Sequence, residues 1–208
     1  MEEEITKAKV DPLYWEKLSQ LHPTDVCNRT EAVYHAGKEG FVLGVYQRRY
    51  LILPKAKKIL RMEWNDQTVE EDLSSFFYLM VLYYLVEAGD AKPSHTWVSE
   101  KDLRGGSTFF RGLHRLQSEE LERLYGKDPD GFLQAGRRLG ASEILFGDKG
   151  FALDVLPKVP LAYVLWKGDD EFPPRINILF DPTVETHLSL DMIWCLVNET
   201  NRRLVEPA

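Results

Sequence analysis

The sequence predicts an α+β fold: a mostly antiparallel sheet packed against a long central helix, with additional short helices. Short extended stretches recur in two separate blocks of the chain, punctuated by glycine and proline. That pattern suits antiparallel hairpins better than alternating strand–helix units. Between the blocks lies one long segment that is apolar on nearly every side, which reads as a helix contacted on several faces. The chain has 208 residues, enough for one sizeable core and short for two. No repeat, low-complexity tract or linker interrupts it, so residues 1–208 are read as a single domain.

In chain order, Asp11-Pro12 reads as an N-cap followed by proline at the first helical position. Tyr14, Leu18 and Leu21 follow at helical spacing, and Pro23 is expected to end that helix. Ala32 to His35, Phe41 to Tyr46, Tyr50 to Leu53 and Lys58 to Glu63 read as a small antiparallel meander. Thr68-x-x-Glu71 has the form of a capping box. It is expected to open the long helix from Val69 to Ala88, which stops at Gly89. His95 to Glu100 reads as extended and Arg104 to Ser107 as a loop. Ser118 and Asp128-Pro129 each start a short helix. Glu143 to Phe146 and Phe151 to Val155 flank a hairpin turn at Gly147-Asp148-Lys149-Gly150. Val159 to Trp166 is apolar on both faces and so reads as a central, covered strand. Arg175 to Phe180 is a further strand. Asp191 to Leu204 closes the pattern as a helix, with Ile193, Leu196, Val197, Thr200 and Leu204 on one face.

Composition narrows the class of partner. The formal net charge is −7, which opposes general affinity for nucleic acid or an anionic membrane, because both need a positive field. The apolar run Phe76 to Val86 is about half of what spans a bilayer, so no membrane segment is expected. The first residues are acidic and polar, unlike a secretory leader. Cys27 and Cys195 are therefore expected as free thiols in a cytoplasmic protein. Two cysteines cannot supply a four-thiolate site, so no iron–sulfur cluster is expected within this chain. Cys195 falls roughly opposite the apolar stripe of its helix and is expected at the surface. Its sequence neighbours offer it no base.

The stretch Leu156 to Leu188 carries a more specific signal. It contains Pro157 and Pro160 leading a strand, the loop Gly168-Asp169-Asp170-Glu171-Phe172-Pro173, and the strand end Leu179-Phe180-Asp181. Together with LMVLYYLVEAG, WVSEKDLRGGSTFF and GDKGFALDV upstream, it resembles an uncharacterised bacterial and archaeal family, domain of unknown function 3786, over roughly residues 10–205. Members of that family are found largely in anaerobes, and many carry a cysteine-rich, cluster-binding domain that this chain lacks. The resemblance implies work near anaerobic cofactor or one-carbon metabolism and assigns no catalytic residue.

Candidate site residues come from local chemistry. Asp169, Asp170 and Glu171 repel one another and need solvent, a cation or a basic partner. With Trp166 and Phe172 beside them, they form either a solvated turn or a binding loop. Asp181 and His187 offer a carboxylate–histidine pair for a metal or a base with its orienter, without a recognised metal motif. Arg104 and Ser107 lie where exposed amides at a helix start would hold a phosphate or carboxylate.

The leading functional expectation is a non-enzymatic cytoplasmic accessory or ligand- and cofactor-binding module. It would contact a protein partner or small-molecule cofactor through the acidic loop. The alternative is a metal-dependent, hydrolase-like enzyme using Asp169, Asp170, Glu171, Asp181 and His187. The loop and Asp181 are expected on one functional surface, although a simple hairpin would set them about 20 Å apart.

Overall fold

The computed structural model describes residues 12–206. The Asp11 cap falls outside that range. Helix α1, Pro12–Gln20, buries Trp15 and Leu18. Pro23 begins a second helix, α2, Pro23–Thr30, instead of leading into the first strand. Proline suits the first turn because the N–H it lacks would have no helical partner there. Strands β1 (Val33–His35), β2 (Gly40–Val45), β3 (Arg48–Leu53), β4 (Lys58–Met62) and β5 (Thr68–Val69) then make an antiparallel sheet in sequence order.

β5 occupies the place where the sequence predicts a helix start. Its Val69 pairs with Arg61 and its Thr68 with Met62. The carboxylates after it are drawn back to the sheet: Glu71 meets Arg61 Nε at 3.2 Å and accepts from the Tyr50 hydroxyl at 3.3 Å. Glu70 pairs with Lys58 at 2.8 Å. The long helix, α3, therefore runs only from Ser75 to Glu87. Its cap is Ser74, whose Oγ accepts from Phe77 N at 3.1 Å. Phe77, Met80, Val81, Leu82, Tyr84 and Leu85 of α3 are all buried, as its apolar circumference requires.

After α3 an irregular strap, residues 88–97, crosses the surface. Val98 then makes one antiparallel bridge to Phe180 in place of a longer strand. Helix α4 (Gly106–Phe109) is a single turn. α5 (Glu119–Tyr125) and α6 (Pro129–Arg138) follow, the latter capped by Asp128 Oδ1 accepting from Gly131 N at 2.9 Å. A second antiparallel sheet, in the order β6 (Ser142–Ile144), β7 (Lys149–Leu156), β8 (Val159–Trp166) and β9 (Arg175–Phe180), ends at α7 (Val184–His187) and α8 (Leu190–Val205). Every residue of β8 except Trp166 is buried, as expected of a strand covered on both faces. The antiparallel sheet of the prediction is thus two sheets, and one hydrophobic cluster runs through both and the helices.

The turn between β2 and β3 joins the sheets. Tyr46 and Gln47 both have positive φ, 50° and 58°, a conformation that costs a residue with a Cβ roughly 1–2 kcal/mol. Cross-sheet bonds hold it in place. Tyr46 N donates to Val155 O at 3.1 Å, the Tyr46 hydroxyl bonds Thr200 Oγ1 at 2.9 Å, and Gln47 Nε2 donates to Gly140 O at 2.7 Å.

α8 turns its expected apolar face inward but buries more than that face. Cys195 is buried, not exposed, because α3 and other helices pack around α8. Burial and Asp191 push its thiol up to about 11. Glu199 is fully buried and accepts from Arg203 Nε at 2.6 Å, Arg202 Nη2 at 2.9 Å and Ser74 Oγ at 2.6 Å. The Arg203 guanidinium lies over the rings of Tyr46 and Phe77, 4.9 and 5.0 Å from their centroids. Burial works against the Glu199 charge, yet the two arginines and Ser74 outweigh it and hold its pKa below the usual value.

Candidate functional site

β8 and β9 pair as a plain antiparallel hairpin, with Trp166 opposite Arg175 and Leu161 opposite Phe180. This register sorts the candidate residues into two groups. Trp166, Asp169, Asp170, Glu171 and Phe172 lie at the end of the sheet where β8 runs into its loop. Asp181 and His187 lie beyond the far end of β9, roughly 17 Å away for five strand steps. The loop and Asp181 therefore do not share a surface, and the five carboxylate and histidine side chains cannot surround one ion. Among the described residues, no three His, Cys, Asp or Glu side chains form a group that could hold a metal.

At the loop end, Asp169 closes the turn upon itself. Its Oδ1 accepts from Glu171 N at 2.9 Å and Phe172 N at 2.7 Å, and its own N–H donates to Phe172 O at 2.9 Å. These backbone donors lower the Asp169 pKa. The turn is as tight as its prolines demand: a Cβ on Gly168 would lie 2.7 Å from Pro174 Cδ. Asp170 and Glu171 are left exposed, with no ion pair or side-chain hydrogen bond among the described residues. The loop rests on Gly126 and Lys127 at the end of α5, around a shallow depression of about 220 Å³.

The β6–β7 turn lies beside this loop. Asp148 N donates to Leu165 O at 3.0 Å, and Asp148 Oδ2 accepts from Lys167 N at 2.8 Å. Gly147 lies against the end of β8, where a Cβ would be 2.6 Å from Val164 Cγ1. Four large apolar residues are consequently exposed at one end of the sheet: Leu145 at 100%, Phe146 at 50%, Trp166 at 49% and Phe172 at 67%. Sequence reading missed Leu145 and Phe146 by extending β6 through them. Two apolar residues directly before a four-residue turn were the available signal.

The other end is built differently. Asp181 is fully buried and its carboxylate is saturated. Oδ1 accepts from Thr183 N at 2.9 Å and Thr183 Oγ1 at 2.7 Å; Oδ2 accepts from Ser94 Oγ at 3.0 Å and His95 N at 2.6 Å. Four donors occupy the acceptor sites a carboxylate has. Burial raises its pKa, but Thr183 and Ser94 outweigh it, and the net direction is down. Asp181 is thus a clasp for the 88–97 strap. A second clasp, invisible in the sequence, is Lys158, only 2% exposed, whose Nζ reaches the exposed Asp90 at 2.9 Å.

Under the strap, His187 is 1% exposed, and among the described residues neither ring nitrogen has a partner at regular hydrogen-bond geometry. Burial and the Lys158 charge lower its pKa below 6.5, against weaker opposing contributions from the Ala91 and Gly89 backbone and from Asp181. A histidine held neutral in the fold but free to charge when unfolded favours unfolding as pH falls below 6.5. His187→Leu should therefore cost little stability at pH 8, since it removes two unsatisfied polar atoms. It should also flatten the decline in urea midpoint between about pH 6.5 and pH 5. A variant that declines as steeply as the parent would show that His187 is not the titrating group.

Arg104 and Ser107 belong to this second end. The backbone amide of Arg104, offered in the sequence as part of an anion site, donates to Glu185 Oε1 at 2.7 Å. The anion there is one of the protein's own. Gly106 is a glycine because its backbone lies against Glu100 O.

These features define an α+β protein with two antiparallel sheets, an exposed apolar and acidic end on the second, and no helix among the described residues long and apolar enough to cross a membrane. Residues 22–203 match the family described as domain of unknown function DUF3786, and the chain belongs to that family. No curated protein and no solved structure matches it.

Proposed function

We propose that the protein is an accessory module that docks a protein partner through the β6–β7 turn and the β8–β9 loop. The observation that carries this is the joint exposure of Leu145, Phe146, Trp166 and Phe172 at one end of one sheet. Single exposed apolar residues are ordinary, but a group of them rimmed by polar residues is characteristic of an interaction surface. Aromatic residues lose little conformational entropy on docking, which suits Trp166 and Phe172 to the centre of the contact. Asp169 is committed to the turn, so Asp170 and Glu171 are the carboxylates available to a partner. They favour a surface with apolar side chains and a basic flank.

The two described cysteines are unpaired, which fits the reducing cytoplasm in which we place this role. The link to anaerobic cofactor or one-carbon metabolism rests on the family resemblance alone. With Asp181 saturated and remote from the loop, no observation favours the metal-dependent alternative.

The test is a photo-crosslinking amino acid placed at Phe172 in the native host, with the same group at the exposed Leu113 as control. A discrete adduct is expected from position 172 and not from position 113. Adding Trp166→Ala or Asp170→Lys with Glu171→Lys should remove it. Adducts that are equal at both positions, or that survive those substitutions, would refute the docking role.

A further inference from the structure

A second site lies on the other sheet, in the pocket bounded by the β2–β3 turn, β4 and the segment that follows β4. It holds about 550 Å³, inside the range of about 300–1,000 Å³ typical of small-molecule sites. Gln47, Arg48, Arg49, Arg61, Trp64 and Glu71 are among its lining residues.

The charges around it nearly pair off. Arg61 meets Glu63 at 2.7 Å and Glu71 at 3.2 Å. Arg49 meets Asp66 at 3.0 Å and also donates to Glu63 O at 2.8 Å. Lys58 takes Glu70 at 2.8 Å. Arg48 is left over, with no hydrogen bond or ion pair to any described residue.

Trp64 is 96% exposed and stacks on no other ring among the described residues. Its turn is nevertheless well braced. Glu63 N donates to Gln67 O at 2.9 Å, Asp66 N to Glu63 O at 3.1 Å, and Gln67 N to Asn65 Oδ1 at 3.2 Å. The indole is thus carried at the pocket rim on a fixed backbone. A rigid aromatic ring and an unpaired guanidinium bordering one cavity are the two contacts that recognise a planar anion.

We propose that this pocket binds a small, ring-bearing monoanion, its ring stacked on Trp64 and its carboxylate paired with Arg48. The single charge follows from the walls: Glu63, Glu70 and Glu71 penalise a second negative charge, and Arg48 is the one pocket-lining cation without an ion pair among the described residues. This site is independent of the docking end. The two can fail separately, because one lies on the β1–β5 sheet and the other on the β6–β9 sheet.

Isothermal titration calorimetry with three probes of one ring tests it: 2-naphthoate, 2-naphthyl phosphate at mildly alkaline pH, and 2-naphthylmethanol. Saturable binding of naphthoate is expected, tighter than the dianionic phosphate and at least about tenfold tighter than the neutral alcohol. Arg48→Ala and Trp64→Ala should each weaken naphthoate by about tenfold. Both side chains are exposed, so thermal midpoints should stay at the parent value, which separates lost contacts from lost fold. Three results would overturn the proposal. One is the absence of saturable heat with naphthoate up to about 5 mM. Another is phosphate binding tighter than carboxylate. The third is affinity unchanged in both variants.

Discussion

Glu199→Ala is expected to lower the free energy of unfolding by about 3–5 kcal/mol, because it strands the buried Arg203 without a carboxylate, whereas the half-exposed Arg202 keeps Glu206. Arg203 is only 9% exposed and has no other carboxylate partner among the described residues. Ser74 would lose its acceptor as well, and Ser74 is the cap of α3. Urea denaturation measures the effect directly. A double variant, Glu199→Leu with Arg203→Met, should recover much of the loss, since removing both buried charges also removes their desolvation cost. In the parent protein, Glu199 titrates below its ordinary value of 4.5. Its contribution is therefore complete above pH 4.5 and disappears as pH falls through the lower folded-state pKa. A Glu199→Ala loss under about 1 kcal/mol would mean that the pair only offsets its own desolvation.

Met80→Asp should leave no folded protein. Met80 is 0% exposed on a helix buried on several sides. An aspartate there loses its water without gaining a cation, at a cost of several kcal/mol on top of the lost packing. That is comparable to the whole stability of an ordinary domain, about 5–15 kcal/mol. Far-UV circular dichroism and a collapsed urea transition would report it. Met80→Leu, which nearly conserves volume, should stay within about 1.5 kcal/mol of the parent. A cooperative, parent-like transition for Met80→Asp would mean that α3 is not central.

Where one local signal decided an element, the sequence was legible. Asp128-Pro129 opens α6, and the two-faced apolarity of Val159 to Trp166 marks β8 as an interior strand. Local signals in competition were misleading. Thr68 and Glu71 satisfy the capping-box pattern, but Arg61 and Tyr50 lie across the sheet and claim the carboxylate that a cap would need. No window of sequence contains that contest. Glu199 and Arg203 are spaced as an ordinary exposed helix pair, and it is the packing of α3 and of Tyr46 in the β2–β3 turn against α8 that covers them. The acidic loop was legible as a feature. Its apolar neighbours Leu145 and Phe146 were not, because they join it through the β7–β8 pairing. Asp181 and His187 looked like a functional pair, whereas the fold uses one as a clasp and leaves the other neutral beneath the strap.

The turn at Tyr46 and Gln47 also constrains how the chain can assemble. Both residues adopt their unfavourable backbone conformation early in the chain, yet the groups that stabilise it arrive much later. The Tyr46 hydroxyl waits for Thr200, 154 positions away, and its amide waits for Val155. During synthesis from the N-terminus, the first sheet is therefore complete in sequence well before it is complete in energy. Until α8 emerges, Tyr46 and the cavity meant for Arg203 stay open to water. Until then the nascent meander exposes apolar surface of the kind that makes folding intermediates prone to aggregate. Closure of the two sheets should be a late event, set by the search for long-range contacts and not by the speed of hairpin formation.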